Sequence, residues 1–256
     1  MSVNDANGRV AIVTGGGQGI GRAFCIGLAE RGYRVVIAEL DDEAGSGVEG
    51  EIKRGNGAAR FVRTDITDSA AANAMAEQAL SAFGRIDILV NNARWSGLKP
   101  TPIEDVSDAD WAKALQVNVT GAFNCTRAVV PYMKTVKWGR IVNMSSATFL
   151  MPPPRPYVHY VTTKAALLGF TRGLAVELGE FGITVNAILP GSVETGIERP
   201  GQPPRADRDA RAIRQQAIKR REVPEDMVGA LAFLISDEAS FITGQGLNVD
   251  GGYAFS

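Results

Sequence analysis

The stretch 9-RVAIVTGGGQGIGRAFCIGL-28 decides the fold. It begins with a β-branched apolar run (9–15), passes through a glycine-rich turn, and continues with apolar residues at helical spacing. These helical positions are Ile20, Ala23, Phe24, Gly27 and Leu28. A short apolar run followed by a 3.6-residue period predicts a strand, a tight turn and an amphipathic helix. This is the first crossover unit of a parallel α/β sheet.

The same alternation recurs along the whole chain. Short apolar runs occupy 9–15, 34–40, 58–66, 86–93, 139–146, 183–191 and 244–252. Their near-continuous hydrophobicity is typical of strands buried on both faces of a parallel sheet. A second helical stripe comprises Ala72, Met75, Ala76, Ala79, Leu80 and Phe83. We predict a single α/β domain over residues 1–256, with a seven-stranded doubly wound parallel sheet and helices on both faces.

Composition narrows the class of protein. The 256 residues carry a net charge of −1, so nothing global favours nucleic acid or an anionic membrane as a partner. No window reaches the roughly 18 apolar residues of a membrane span, and the opening MSVNDANGRV lacks the apolar run of a signal peptide. One histidine and two distant cysteines, Cys25 and Cys125, give no metal or redox spacing. We expect a cytoplasmic protein without bound metal, whose cysteines are small buried apolar residues.

Two segments interrupt the alternation. The first, ATFLMPPPRP (147–156), is too rich in proline to be helical. The second, 192–222, passes from a proline-rich loop into an arginine-rich helical pattern. Both follow the carboxyl ends of predicted strands, where ligands bind in open α/β sheets. We predict a substrate loop in the proline-rich segment 147–156 and a lid in the basic segment 192–222.

The glycine-rich turn is a candidate phosphate site. Its candidate binding residues are Gly15, Gly17, Gln18, Gly19, Ile20 and Gly21. Glycines between a strand and a helix allow a pyrophosphate to approach the helix N-terminus without a Cβ in between. A purely structural tight turn is the alternative, and the position in the first crossover weighs against it.

Glu39 indicates which dinucleotide would bind. It closes the second apolar run 18 residues after Gly21, near the roughly 20-residue spacing at which a carboxylate meets the adenosine ribose. A carboxylate accepts a hydrogen bond from a 2′-hydroxyl and repels a 2′-phosphate, and Gln18 adds no basic group. The expected cofactor is therefore NAD rather than NADP, although a solvated strand-end glutamate remains the alternative for Glu39.

The stretch 154-PRPYVHYVTTKAALLGF-170 holds a candidate proton-transfer pair. Tyr160 and Lys164 are four residues apart and share one helix face. A free tyrosine has a pKa near 10, and a nearby ammonium favours its phenolate. We predict Tyr160 as the acid/base and Lys164 as the cation that makes it acidic. Tyr157 near the helix start is expected to line the site, and His159 to lie at the surface or behind the catalytic face.

Two further polar residues complete the candidate catalytic set. Ser146 ends the fifth apolar run, at the sheet edge where a site belongs, and could orient a substrate oxygen. Asn118 lies inside an otherwise helical pattern. It is either an exposed or capping amide, or a polar group that holds a water molecule reaching Lys164.

In order and spacing these residues match the short-chain dehydrogenase/reductase family. The matching positions are Thr14, Gly15, Gly19, Ile20, Gly21, Asn91, Asn92, Ala93, Asn118, Ser146, Tyr160, Lys164, Pro190 and Gly191. The resemblance covers essentially the whole chain, including the terminal FITGQGLNVDGG. It implies a Rossmann fold and a hydride-transfer enzyme with a catalytic tetrad of Asn118, Ser146, Tyr160 and Lys164.

The resemblance also implies positions around the cofactor. It places Asp65 and Ile66 at the adenine, Asn92 with Ala93 at a ribose, and Lys164 as a ligand of the nicotinamide ribose. Val193 and Thr195 would lie near the nicotinamide amide and pyrophosphate, after Pro190 and Gly191. It further implies a homotetramer.

Three departures from the family pattern concern the substrate side. Arg94 stands where the family usually has glycine, which would cost about 1 kcal/mol if the backbone needs positive φ, or would add a cation beside the site. Ser146 precedes Tyr160 by 14 residues rather than the usual 13, so we place the extra residue in the proline-rich segment. The basic segment is also unusually cationic. Its basic residues are Arg199, Arg205, Arg208, Arg211, Arg214, Lys219, Arg220 and Arg221.

The substrate is predicted only by class. Arginine-rich helices are more often solvated faces, and we expect this one to be so; the alternative is an anionic substrate held by Arg94, Arg155 or an arginine of the basic segment. Phe149 and Tyr157, with the neighbouring prolines, favour an apolar wall and a cyclic or aromatic alcohol. The predicted substrate-binding residues are Ser146, Arg94, Phe149, Arg155 and Tyr157.

The sequence therefore predicts an NAD(H)-dependent oxidoreductase that interconverts a small-molecule secondary alcohol and its ketone. A 3-oxoacyl thioester reductase of the same family is one rival, and its usual preference for NADPH weighs against it. A non-catalytic dinucleotide-binding sensor is the other. Such a sensor would have no need to keep Asn118, Ser146, Tyr160 and Lys164 together.

Overall fold

A computed structural model of the chain describes residues 6, 8–95, 97, 99–196 and 204–255. All seven predicted strands form, and they build one parallel sheet. The strands are β1 (Val10–Thr14), β2 (Arg34–Glu39), β3 (Ala59–Arg63), β4 (Ile88–Asn91), β5 (Gly139–Met144), β6 (Ile183–Pro190) and β7 (Gly246–Val249). Arg199 of the predicted lid lies outside the described residues.

Helices connect the strands as the crossover pattern predicts. They are α1 (Gly19–Glu30), α2 (Asp42–Arg54), α3 (Ser69–Phe83), α4 (Asp108–Leu115), α5 (Gly121–Val136), α6 (Val158–Leu178), α7 (Arg205–Gln215) and α8 (Asp226–Leu234). Their ends follow local chemistry. The Asp41 carboxylate accepts hydrogen bonds from backbone N–H groups at the start of α2, and Gly84 ends α3 in the left-handed conformation.

Two apolar layers cover the sheet, one on each face. On one face, α1, α2 and α8 pack around Phe24 and Leu28, against alternate residues of β1 such as Val13. On the other, α3, α5 and α6 pack around Met75 against the remaining residues of β1, such as Ile12. Both predicted helical stripes therefore face the sheet, and the Rossmann-type doubly wound fold is confirmed.

The strand order is β3-β2-β1-β4-β5-β6-β7. The chain winds outward in one direction from β1 to β3 and in the other from β4 to β7, so the winding reverses between β1 and β4. In doubly wound sheets a crevice opens at this switch point, beyond the carboxyl ends of the strands. The glycine-rich turn after β1 and the Asn91–Ala93 stretch at the end of β4 meet there.

Three features of the described residues concern the cysteines, membrane-spanning helices and metal ligands. Cys25 and Cys125 are both fully buried, as expected of small apolar residues, and burial raises the pKa of each thiol. No described helix has both the length and the apolarity to cross a membrane. In the described part of the chain, no three potential metal-ligating side chains are grouped as a metal ion would require.

Candidate active site

One large cavity lies along the carboxyl edge of the sheet. Its volume is about 1080 Å³. It extends from Glu39 after β2, across the glycine-rich turn, to Tyr160 of α6 and Arg211 of α7. Of the predicted catalytic residues, Ser146, Tyr160 and Lys164 line it, whereas Asn118 lies behind its wall. The fold therefore brings the phosphate cradle and the proton-transfer pair to one space.

The glycine-rich turn needs its glycines. Gly15 and Gly19 have φ values of +63° and +51°, a region that side chains other than glycine rarely adopt. A Cβ at Gly21 would overlap the carbonyl oxygen of Gly15 and lie 2.6 Å from Asn92 Nδ2. A Cβ at Gly17 would lie 2.8 Å from the Ala44 side chain. These are the tight turn and open helix start that a pyrophosphate requires.

Thr14 and Asn92 fix the turn against β4. The Thr14 hydroxyl accepts hydrogen bonds from the backbone N–H groups of Asn92 and Ala93, each at 3.0 Å. The Asn92 amide group donates to the carbonyls of Thr14 and Gly15 at 2.9 and 3.1 Å. Asn92 and Ala93 line the cavity as predicted for the cofactor ribose. In addition, Asn92 holds the glycine-rich turn itself.

Glu39 also contacts the glycine-rich turn directly. Its Oε2 accepts a hydrogen bond from the Gly17 N–H at 3.0 Å, and its Oε1 accepts from Leu40 N–H at 2.8 Å and Asp41 N–H at 3.2 Å. An ionised carboxylate has about four acceptor sites, so capacity remains for a ribose hydroxyl. Glu39 lines the cavity and thereby sets a negative charge at its β2 end.

The other predicted cofactor-binding residues line the same cavity. They are Gln18, Ile20, Asp65, Ile66, Pro190, Gly191, Val193 and Thr195. Asp65 is partly committed locally, because its Oδ1 accepts from the Thr67 N–H and hydroxyl at 2.9 and 2.7 Å. The structure thus assembles every predicted cofactor position except Gly17 in the cavity lining, and Gly17 lies behind it against Glu39.

Tyr160 and Lys164 lie together on one face of α6. Lys164 is buried, and its Nζ donates to the backbone carbonyl of Met144, at the end of β5, at 2.6 Å. The same Nζ lies 5.7 Å from the centroid of the Tyr160 ring. The helix therefore places a cation beside the aromatic ring, as the i, i+4 spacing predicts.

Ser146 lies immediately before the proline-rich segment and lines the same cavity as this pair. Its hydroxyl accepts from Thr148 Oγ1 at 3.0 Å and donates a long hydrogen bond of 3.5 Å to the Pro190 carbonyl. It is 4% exposed and lines the cavity. A short 3₁₀ turn (Ala147–Phe149) follows it, and the rest of the proline-rich segment is irregular, as predicted.

Asn118 lies in a π-helical turn (Gln116–Thr120) between α4 and α5. Such turns often mark functional sites in helices. Its Oδ1 accepts from the Trp95 N–H at 2.8 Å, and its Nδ2 donates to Thr163 Oγ1 at 3.1 Å. The exposed-amide alternative is wrong, because Asn118 is 2% exposed. Its side chain joins the loop after β4 to α6, and its role as a water anchor stays a prediction.

Similarity to known proteins agrees with this geometry. A family model described as enoyl-(acyl carrier protein) reductase matches residues 15–254. Cyclopentanol dehydrogenase of Comamonas sp. is 37% identical over 248 residues, which cover 96% of this chain and 97% of that protein. The chain belongs to the short-chain dehydrogenase/reductase family. It is accordingly an oxidoreductase of a family that binds nicotinamide dinucleotides.

Two further members of the short-chain dehydrogenase/reductase family are informative relatives. Subunit BbsD of (2S)-[(R)-hydroxy(phenyl)methyl]succinyl-CoA dehydrogenase from Thauera aromatica is 38% identical over 244 residues, covering 95% of this chain and 96% of that protein. A crystallised 7α-hydroxysteroid dehydrogenase, complexed with NADH and 7-oxoglycochenodeoxycholic acid, superimposes with a TM-score of 0.89 at 34% identity. That match covers 98% of this chain and 97% of the other.

The departure from the short-chain dehydrogenase/reductase pattern at Arg94 causes no backbone strain. Among described residues other than glycine, only Asn56 and Lys137 have positive φ, so Arg94 avoids that region. Arg94 is half-buried and lines the cavity. Of the two alternatives for Arg94, backbone strain is therefore excluded, and the added cation beside the site remains.

His159 is not a surface residue. It is 2% exposed, and its Nδ1 accepts from the Tyr160 N–H at 2.9 Å in the first turn of α6. The surface alternative is therefore wrong, and a position behind the face that carries Tyr160 stays a prediction. Tyr157 precedes α6 and lines the cavity as predicted, with its ring centroid 5.2 Å from that of Tyr160.

The basic segment divides into an exposed and an enclosed part. Arg205, Lys219 and Arg220 are exposed, as expected of a solvated face. Arg208 and Arg211 are instead half-buried and line the cavity, so for them that expectation is wrong. They lie three residues apart, on the side of α7 that also buries Ala212.

Ion pairs hold the basic segment over the loop after β6. Arg221 Nε lies 3.0 Å from Asp209 Oδ1 of α7, and Arg221 Nη2 lies 3.8 Å from Glu194 Oε2. Arg205 also reaches Glu194 Oε2, at 3.5 Å. These pairs connect α7 with the stretch that carries Val193 and Thr195, so the position of α7 and the cofactor end of this loop are coupled.

Sequence reasoning missed three residues of the site. Trp95 lines the cavity beside Arg94, and Lys113 of α4 lies 4.9 Å from its ring centroid. Tyr253 lines it from the C-terminal end, and its hydroxyl donates to the Met151 carbonyl at 3.4 Å. An aromatic residue next to Arg94 was a usable signal for Trp95, whereas nothing local in the sequence indicates that Tyr253 returns to the site.

Glu222 is the third missed residue. It is 4% exposed and lies behind the Pro190–Thr195 loop, where its Oε1 accepts from the Gly191 N–H at 3.3 Å. Its Oε2 is buried without a hydrogen-bond partner. Burial raises the pKa of Glu222 to about 8, the Gly191 N–H lowers it, Asp250 and Asp226 raise it further, and Arg221 lowers it.

The pKa of Glu222 predicts a pH-dependent stability. Between the ordinary value of 4.5 and about 8, the unfolded chain loses this proton while the native protein keeps it. Native stability therefore falls as pH rises through that window and levels off above it. Between pH 5 and pH 8 the free energy of unfolding of Glu222→Gln is expected to fall by at least about 1.4 kcal/mol less than that of the parent protein, which corresponds to one pKa unit. Urea unfolding at the two pH values measures this difference. The exposed Glu225→Gln is the matched control, and an equal fall between pH 5 and pH 8 in the two variants would contradict the assignment.

The site fits a dinucleotide. The turn from Gly15 to Gly21 leaves open the space that a Cβ would fill and exposes the N-terminus of α1. Glu39 and Asp65 could hold the adenosine end, and Lys164 with the Pro190–Thr195 loop the nicotinamide end. Bound there, the nicotinamide would supply or accept hydride beside Tyr160.

Proposed function

We propose that this protein is an NAD(H)-dependent dehydrogenase that interconverts a secondary alcohol, cyclic or aromatic, and its ketone. The observation that carries the proposal is the single cavity lined by Ser146, Tyr160 and Lys164 at one end and Glu39 at the other. A catalytic acid/base, an oxygen-orienting hydroxyl and a dinucleotide cradle facing one space are what such a reaction requires.

In this proposal each polar group has a defined task. The Ser146 hydroxyl hydrogen-bonds the reacting oxygen of the substrate and fixes its orientation. Tyr160 donates its phenolic proton to that oxygen when a ketone is reduced, and takes the proton back when an alcohol is oxidised. The Lys164 ammonium, held by the Met144 carbonyl, favours the phenolate through its charge and holds the nicotinamide ribose. The Asn118 side chain connects the loop after β4 to helix α6.

The substrate class rests on the cavity walls and on relatives. Tyr157, Trp95 and Pro153 contribute apolar surface to the cavity, and the Tyr157 ring lies beside that of Tyr160. Phe149 was a further candidate, but it does not line the cavity. The names of the relatives describe a cyclopentanol, a phenyl-substituted hydroxyacyl-CoA and a hydroxysteroid as substrates of those proteins. All three are secondary alcohols, and two are ring alcohols.

A substrate panel tests the proposal. Purified protein with NAD⁺ is expected to form NADH, followed at 340 nm, with cyclopentanol, cyclohexanol or 1-phenylethanol. The reverse reaction with NADH and the matching ketones uses the same signal. Acetoacetyl-CoA tests the thioester-reductase rival, and turnover of this thioester without turnover of any simple ketone would favour that rival. Cofactor binding without turnover of any of these compounds would favour the sensor.

Glu39 is expected to set the preference for NAD over NADP. Its carboxylate would repel the 2′-phosphate of NADP, so Glu39→Ala is expected to lower the ratio of kcat/KM for NAD to that for NADP at least about tenfold. Because Glu39 also accepts from the Gly17 N–H, Glu39→Gln is the matched variant that keeps an acceptor and removes the charge. A ratio unchanged in both variants would show that the adenosine ribose is read elsewhere.

The proposal includes a cytoplasmic homotetramer. Free, buried Cys25 and Cys125 suit a reducing compartment. Val176 of α6 is 88% exposed and Phe241, shortly before β7, is fully exposed, which gives apolar surface for subunit contacts. Sedimentation equilibrium measures the subunit number, and a monomer would contradict this part.

A further inference from the structure

Arg155 lies between two of the predicted catalytic residues in the sequence. It lies in the proline-rich segment that begins after Ser146 and leads into Tyr160. Its backbone N–H donates to the Pro153 carbonyl at 2.7 Å, and the next carbonyl, of Pro156, accepts from the Thr101 N–H at 2.9 Å. The backbone of this part of the segment is therefore fixed on both sides.

The Arg155 side chain packs on Tyr157, whose ring lies beside that of Tyr160. Its guanidinium carbon lies 5.1 Å from the Tyr157 ring centroid, and the Tyr157 ring lies 5.2 Å from that of Tyr160. Arg155 lines the cavity and is half-buried. A guanidinium stacked on an aromatic face is held in place with its N–H groups available at the edge.

Arg155 differs from Arg220 and Arg221 in having no carboxylate partner among the residues that the structure describes. Its Nε is buried without a hydrogen bond, and no carboxylate in the described ranges forms an ion pair with it. Arg221 Nε also lacks a hydrogen bond, but it lies 3.0 Å from Asp209 Oδ1, and Arg220 contacts Asp226 at 2.6 Å. A half-buried cation with an unsatisfied donor is costly unless a ligand supplies the acceptor.

The other charged residues of the cavity lining do not neutralise the positive charge of Arg155. Arg94 and Arg211 also line the cavity, and neither pairs with a carboxylate in the part of the chain that the structure describes. Of the carboxylates in the lining, Glu39 and Asp65 lie at the β2 and β3 ends. Glu194 is engaged by arginines, and Asp207 at the start of α7 is exposed. The substrate end therefore keeps a surplus of positive charge.

We propose that Arg155 is a specificity-determining residue that binds an anionic group, a carboxylate or a phosphate, carried by the substrate away from its reacting carbon. Arg94 and Arg211 add positive charge around that group. This inference rests on the proposed function and narrows its substrate class to anionic secondary alcohols and ketones. An arginine pairs with either anion through two parallel hydrogen bonds, which a neutral analogue cannot replace.

A matched pair of ketones tests the inference. The probes are 4-acetylbenzoate, which carries a carboxylate across the ring from its ketone, and the neutral 4-acetylbenzamide of nearly the same shape. NADH oxidation is expected to give a higher kcat/KM for the acid. Arg155→Gln is expected to lower the ratio of acid to amide about 10- to 100-fold, the loss typical of one charge-assisted interaction. Arg155→Lys, which keeps the charge without the fork, is expected to lie in between.

The control removes an arginine outside the cavity. Arg172 is exposed on α6, and Arg172→Gln changes the net charge equally while leaving the ratio of acid to amide unchanged. Acetoacetyl-CoA distinguishes the source of the anion. A selective loss on this thioester in Arg155→Gln, with the acid and amide equal, would assign the site to phosphate.

Other results would overturn the inference. Equal losses on acid, amide and thioester would show a structural role for Arg155, and so would a fall in the unfolding temperature without a change in the ratio. A rise in KM for NADH equal to that for the acid would assign Arg155 to the cofactor. If no ketone or alcohol reacts at all, the proposed function fails. If neutral ketones react and charge makes no difference, only this inference fails.

Discussion

Tyr160→Phe is expected to lower turnover by about 10³-fold or more, with little change in NADH binding. The variant keeps the ring that lies 5.7 Å from Lys164 Nζ and removes only the hydroxyl that would exchange a proton with the substrate. General acid–base groups contribute about 10² to 10⁴ in rate. Of the two tyrosines in this part of the lining, Tyr160 stands one helical turn from Lys164, whereas Tyr157 lies before α6. Steady-state kinetics with the best alcohol from the panel measures the loss, and fluorescence titration with NADH measures binding.

Tyr132→Phe is the matched control for this experiment. Tyr132 lies on α5, outside the cavity lining, so the same chemical change there is expected to leave turnover at the level of the parent protein. Comparable activity in Tyr160→Phe and Tyr132→Phe would move the acid/base role to another group. Loss of NADH binding in Tyr160→Phe would mean that the ring hydroxyl serves the cofactor rather than the proton.

The sequence was sufficient for the fold because both faces of this sheet are buried. Strands covered on both sides become nearly continuous apolar runs, and this is visible in β1, β4, β5 and β6, whose residues are all buried. Strand ends were predicted less well. The predicted ranges 58–66, 86–93 and 244–252 were each four or five residues longer than the observed Ala59–Arg63, Ile88–Asn91 and Gly246–Val249. The partly exposed residues of the edge strand β7 carry a weaker pattern, and the flanking glycines gave this strand no sharp end.

The candidate site was predictable where function depends on short spacing. The Tyr160–Lys164 pair follows from helix geometry alone, and the glycine-rich turn follows from its place between β1 and α1. Glu222 could not be found in this way. It stands in the charged stretch KRREVPED, and its surroundings include Gly191 and Asp250, which are 31 and 28 residues away. A residue whose environment comes from distant strands leaves no local trace.

The arginines of the basic segment illustrate the same limit. Arg205 and Arg208 are only three residues apart in α7, yet the first is exposed and the second lines the cavity. The buried residue of α7 is the small Ala212, at 7% exposure. One alanine in an arginine-rich helix is too weak an apolar signal to fix its orientation.

Gly21→Ala is expected to weaken NADH binding at least about 100-fold and to lower the free energy of unfolding by about 1–3 kcal/mol, the usual cost of overpacking. The added methyl group would overlap the Gly15 carbonyl oxygen and lie 2.6 Å from Asn92 Nδ2. Neither neighbour can retreat easily, because the Gly15 N–H donates to the Ala38 carbonyl at 2.7 Å and the Asn92 amide donates to Thr14 and Gly15. The turn that would cradle the pyrophosphate must therefore shift. NADH titration and urea unfolding measure the two effects.

Gly47→Ala separates this local overlap from the general effect of replacing a glycine in a helix. Gly47 is exposed in α2 with no atom within 4 Å of the position its Cβ would take, so alanine is expected to leave NADH binding unchanged and to stabilise the helix by about 0.5–1 kcal/mol. Binding by Gly21→Ala equal to that of Gly47→Ala would show that the cofactor approaches the sheet elsewhere. If Gly21→Ala weakens NADH binding but leaves the free energy of unfolding unchanged, the turn rearranges without strain. In that case glycine is needed at position 21 for cofactor binding rather than for the stability of the fold.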